Sequence, residues 1–213
     1  MFFFNTSAFG QYRDCGLIPT TTQASNQTIG LLTQTGGIYL PSQGTLRVLI
    51  VFARMKDDNS THNYWTAGSP PPNYQSYIDS ITSQGSTNFL NLTNYFNQMS
   101  MGTLHVIGKA VYVETPNNKS YYGSSYYLAN KEILQQKVDP LINFADYDNW
   151  TYNSNYNFIN QPDGTVDMIV MVWRGMPFGT DWGGQASLGD NPAYTVENGT
   201  DTIKTFFTGQ VQV

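Results

Sequence analysis

The run LRVLIVF, Leu46 to Phe52, is short, almost wholly apolar and rich in β-branched residues. A strand with one wet face alternates apolar and polar side chains, so a run without alternation expects cover on both faces, as in a parallel sheet. Lys56, Asp57 and Asp58 end the run, and Ser69 to Pro72 (SPPP) opens a loop that cannot sustain regular structure. VDMIVMVW, Val166 to Trp173, is a second buried run, entered through the turn Asp163-Gly164. TLHVIGKAVYV, Thr103 to Val113, alternates well enough for a third strand, closed by Pro116, Asn117 and Asn118.

Helical periodicity fills the intervals. Tyr74 to Ile81 reads as a short helix. From Ser86, a suitable N-cap, the residues Phe89, Leu90, Leu92, Tyr95, Phe96 and Met99 recur at helical spacing, and Met101 and Gly102 end the segment. Leu128 to Phe144 carries a second apolar stripe, with an interruption expected at Pro140. Strands alternating with helices define an α/β fold with a mixed, largely parallel twisted sheet. Ala193 to Val196 and Thr202 to Phe207 are candidate short strands beyond it.

With 213 residues the chain suffices for one sizeable core. We divide it into an extended arm or linker, residues 1–44, and an α/β unit, residues 45–213. Gly16 to Thr45 holds no charged residue and is rich in Thr and Gln. It reads either as a segment lying along its own domain or as a donor strand for self-association through residues 16–45.

Charged residues are only 12% of the chain and aromatics 15%, so solubility must come from Asn, Ser, Thr, Gln and Tyr. A net charge of -5 and a pI near 4.7, with no basic run, exclude a phosphate-binding face and hence nucleic acid as partner. No apolar run is long enough to span a membrane. Asn5, Asn26, Asn59, Asn91, Asn118, Asn149 and Asn198 each begin an Asn-x-Ser/Thr triplet, roughly twice the number that composition alone would give. They point to N-linked glycans and a secreted or cell-surface location. Cys15 is the lone cysteine and reads as a buried inert thiol, an intermolecular link or half of a bridge to another segment. Trp65, Trp150, Trp173 and Trp182 are scattered and read as core or loop anchors rather than a sugar platform.

Asn94 to Leu104 (NYFNQMSMGTL), then the strand, then Tyr121-Tyr122-Gly123, resembles a signature of immune inhibitor A type metallopeptidases, in which a helix ending in Ser-x-Gly feeds the second strand. Tyr147-Asp148 and Asp163-Gly164-Thr165-Val166-Asp167, leading to Arg174-Gly175, resemble the next block of that family. There the acidic loop is compact, whereas here Asn149 to Pro162 is inserted. The resemblance covers roughly Thr45 to Phe207 and implies a zincin-like amino-terminal subdomain of a secreted zinc peptidase acting on peptide or protein substrates. It also implies that an edge strand within Gly179 to Val196 forms the upper rim of the substrate cleft.

Asp148, Asp163 and Asp167 are candidate oxygen ligands for calcium. The other reading makes Asp163-Gly164 a turn and Asp167 a strand-entry residue. Zinc is a different matter. A helical His-Glu-x-x-His sets two imidazoles on one face beside a general base, and this sequence has only His62 and His105. His105 reads as a sheet residue and His62 as a loop residue, so no catalytic residue is assigned. The expected function is part of a secreted zinc peptidase whose zinc motif lies outside the chain. The alternative is a non-catalytic, glycosylated extracellular structural, filament or surface-layer protein on a peptidase-like scaffold.

Overall fold

A computed structural model describes residues 41–80, 90–152, 158–175, 184–185, 194–196, 201–203 and 208–212. All belong to the larger of the two units into which the chain divides, Gln34–Val213. Most of the arm, Cys15, Ser86, Phe89 and Trp182 lie outside the described residues.

Strand β1 (Gly44–Arg54) lies parallel to β2 (Leu104–Glu114) over eleven residue pairs. The hairpin strands β3 (Thr151–Tyr152) and β4 (Phe158–Ile159) form a separate antiparallel pair. Strand β5 (Ile169–Trp173) lies parallel to β1 on its other side. The strands β6 (Gly184–Gln185), β7 (Tyr194–Val196), β8 (Asp201–Ile203) and β9 (Thr208–Gln212) follow. The main sheet has the order β2-β1-β5-β9-β6, with β9 parallel to β5 and β6 antiparallel to β9. Strands β7 and β8 pair with each other, antiparallel.

The unbroken apolar character of β1 has the expected cause. Leu49, Val51 and Ala53 face one core with Val111, Ile169, Met171 and Trp173, while Val48, Ile50 and Phe52 face another with Val106, Ala110 and Val172. Helix α1 (Leu92–Met99) brings Leu92 and Phe96 to the second core. It starts at Asn91, whose side chain accepts the Asn94 N–H at 2.8 Å, so the helix begins later than the sequence suggested. Its end is the Ser-x-Gly signature: Met101 and Gly102 both have positive φ, and the Gly102 N–H reaches the Asn97 carbonyl at 2.7 Å.

Helix α2 (Lys119–Tyr122) ends at Gly123, again at positive φ. The longer α3 (Tyr126–Ile133) begins at the Ser125 cap and places Ala129 and Ile133 in the first core. It widens to a π-turn over Leu134–Val138 and tightens to a 3₁₀ turn over Asp139–Leu141. Pro140 explains the change, because it has no N–H and its ring would meet the carbonyl of Gln136 in a regular α-helix. Tyr74–Tyr77 is a single 3₁₀ turn.

Three of the four tryptophans are buried, and each indole N–H finds an oxygen: Trp65 at Ser69, Trp150 at Thr45 and Trp173 at Asn130. They anchor loops and core, as the sequence suggested.

Candidate functional site

The two ends of the sheet are treated differently. At the β2 edge, the Gly108 N–H, which points away from β1, donates to the Asp79 carbonyl at 2.7 Å. Asp79 is itself held: its N–H donates to Thr93 Oγ1 at 2.9 Å, and its carboxylate accepts from the Asn91 side chain at 2.6 Å. A loop thus covers this edge and blunts pairing with another chain. At the opposite end β6 is the last strand among the described residues, antiparallel to β9 through Gly184 with Val211 and Gln185 with Gln210. It falls in the stretch where the sequence located a substrate rim.

Arg174 stands immediately after β5. Its side chain is fully enclosed, and Nε donates to the Trp65 carbonyl at 2.8 Å while the guanidinium also reaches the Ser60 carbonyl at 2.5 Å and the Asp58 carboxylate. Asp58 accepts in turn from the Ser60 N–H and hydroxyl. Burial pushes the Asp58 carboxyl up, but the Ser60 bonds and Arg174 outweigh it and hold the pKa below the ordinary carboxylate value. Arg174 therefore ties the loop after β1 to the end of β5, a role that the sequence did not reveal because its partners lie about a hundred residues away.

A second clasp lies across the sheet. Arg54 donates to Glu114 at 2.9 Å and to the Asp58 carbonyl at 2.7 Å, and Tyr112 donates its hydroxyl proton to the same Glu114 oxygen. The Arg54 bond holds Glu114 below its usual pKa, while burial first and the Glu114 bond second push Tyr112 up to about 12. The Tyr121-Tyr122-Gly123 motif is explained by Glu132, whose carboxylate accepts from both tyrosine hydroxyls and from the Asn117 amide.

The acidic block is brought together across its insertion. Asp148 is buried and accepts the N–H groups of Asp163 (2.9 Å) and Gly164 (2.7 Å). Asp167 accepts those of Asn149 (2.7 Å) and Trp150 (3.2 Å). The two carboxylates close the base of the β3–β4 hairpin. Burial pushes the Asp167 carboxyl up to about 7, the two N–H groups oppose this, and the neighbouring charges of Asp148 and Asp163 add to the rise. Asp163 itself is exposed. Among the described residues no group of three or more His, Cys, Asp or Glu side chains is arranged to hold a metal ion.

The histidines do not fit zinc. His105 lies opposite Thr45 at the start of the sheet, whereas His62 lies beyond the far end of β1, where Nδ1 accepts the N–H groups of Tyr64 and Trp65. They cannot meet at one ion.

The glycan acceptors divide by exposure. Asn59 and Asn118 are exposed and Asn149 is half-buried, whereas Asn5, Asn26 and Asn198 lie outside the described residues. Asn91 is 2% exposed, with its oxygen capping α1 and its nitrogen bonded to Asp79, so the folded chain does not present it at the surface. No helix among the described residues is long and apolar enough to cross a membrane.

No curated protein matches the chain. A family profile does: immune inhibitor A peptidase M6, catalytic domain, aligns with residues 43–197, well over half of the sequence. The match spans β1, β2 and β5, the Ser-x-Gly turn, the Tyr-Tyr-Gly motif, the acidic block and Arg174, and the chain accordingly belongs to the immune inhibitor A peptidase M6 family.

Proposed function

We propose that the chain is part of a secreted zinc metallopeptidase and supplies the sheet against which an extended peptide substrate is laid. The observation that carries the reading is the end of the sheet at β6, antiparallel to β9, within a catalytic-domain match and opposite an edge closed by Asp79. An exposed strand edge pairs an extended peptide through main-chain hydrogen bonds. Zinc, when bound in this family, supplies Lewis-acid activation of water for peptide hydrolysis. Neither histidine of this chain serves it, so the ligands are assigned to sequence outside these 213 residues, and no step of hydrolysis is assigned to a residue here.

The test is cleavage of unfolded casein by the full-length protein, with and without a zinc chelator. Chelator-sensitive cleavage is expected. A full-length protein that carries no zinc by elemental analysis and cleaves nothing would end the peptidase reading.

A second reading is favoured by the exposed Asn59 and Asn118 acceptors and the missing histidine pair. In it the scaffold is a glycosylated, non-catalytic surface or filament subunit associating through residues 16–45. Deleting that arm would then abolish assembly, and an intact protein that stays monomeric at high concentration excludes it.

A further inference from the structure

The order of the sheet creates a crevice at the carboxyl ends of β1 and β5. The connection from β1 to β2 carries α1 over one face, and the connection from β2 to β5 carries α3 over the other, stepping across β1 to its opposite side. The strands that follow β1 and β5 in the chain, β2 and β6, therefore lie on opposite sides of that pair. In open α/β sheets this switch point leaves a gap in which ligands bind.

A cleft of about 310 Å³ lies there, lined by Met55, Asp57, Asn59 and Ser60 after β1, Lys119 after β2, and Arg174 after β5. Its wall is built and saturated: Arg174 and Asp58 spend their bonds on each other, on Ser60 and on Trp65. Two charges are left over. The Lys119 backbone N–H donates to Asp57 Oδ1 at 2.9 Å, but its ammonium has no partner among the described residues, and neither does the second Asp57 oxygen. Asn59 stands at the rim.

We propose that this cleft binds a small zwitterion of the α-amino acid class. Its carboxylate would meet Lys119, its ammonium would meet Asp57, and an apolar side chain would rest against Met55. Size supports the class, because ligand pockets run from about 300 Å³ upward and this one lies at the small end. Charge supports it too, since a lone anion would face Asp57 and a lone cation Lys119. The Lys119 N–H bond to Asp57 brings the two residues to the same wall of the cleft, so one small molecule can meet both. The site is independent of the peptidase reading.

The test is titration of the full-length protein with leucine, N-acetyl-leucine and leucinamide, followed by calorimetry. Leucine should bind saturably, and each analogue, lacking one charge, at least about tenfold more weakly, as the loss of one charge-assisted hydrogen bond implies. Lys119→Gln should erase the preference for leucine over leucinamide, and Asp57→Asn that over N-acetyl-leucine. Both positions are exposed, so the variants should keep the wild-type melting temperature. No saturation at the solubility limit of leucine, equal binding of all three compounds, or binding unchanged in both variants would overturn the assignment.

Discussion

Asp167→Asn should change the pH dependence of stability more than any other single substitution in the sheet region. The Asp167 carboxyl stands at about 7 in the folded chain against 3.8 for an ordinary aspartate, because burial disfavours its charge. A folded-state value above the unfolded one means that the neutral acid is favoured by folding. That contribution is complete below pH 3.8 and is lost as pH rises through about 7. At about 1.4 kcal/mol per pH unit the loss is about 4 kcal/mol.

Asparagine cannot ionise, and its oxygen can keep the N–H groups of Asn149 and Trp150 that Asp167 now accepts. Urea unfolding of both proteins from about pH 4 to about pH 8 should therefore show the variant gaining about 4 kcal/mol relative to wild type, roughly 10 °C in melting temperature for a chain of this size. Asp58 and Glu114, whose pKa values are lowered, act in the opposite sense: the stability they provide is present above their unfolded values and is lost in acid. The wild-type profile alone is thus mixed, and the difference between the two proteins isolates Asp167. Parallel profiles would show that the two backbone N–H groups hold the charged form, and the reasoning from burial would be wrong.

Gly108→Ala should cost about 3 kcal/mol in urea unfolding, because a Cβ there would lie 1.9 Å from the Val48 carbonyl oxygen of the neighbouring strand; an unchanged midpoint would refute the close approach. Arg174→Met should cost about 3 kcal/mol by leaving Asp58 and the Ser60 and Trp65 carbonyls without their donor, and adding Asp58→Asn should recover part of it. In protein made by a glycosylating host, mass spectrometry should find glycan at Asn59 and Asn118 but none at Asn91. Asn91→Ala should lower stability by about 1 kcal/mol through loss of the α1 cap.

What was legible in the sequence was local or periodic. The unbroken apolar runs at β1 and β5 required cover on both faces, because successive side chains of a strand alternate sides. The stripe on α1, the stop at Gly102 and the break at Pro140 follow from backbone geometry within a few residues. The lack of a second suitably spaced histidine ruled out a zinc motif without any coordinates.

Tertiary structure decided the rest. Strand β9, with Val211 as its one strongly apolar residue, lacked a pattern and is recognised only by its pairing with β5. The hairpin within the insertion is closed by carboxylates accepting N–H groups 15 to 18 residues away. Arg174 reaches Asp58 across 116 residues, and Asn91, a formal glycan acceptor, is consumed as a helix cap. Composition and periodicity report which way a side chain must face. Which group it then meets depends on how the crossovers order the strands, and in this chain that ordering decides which sheet edge is closed and where a crevice opens.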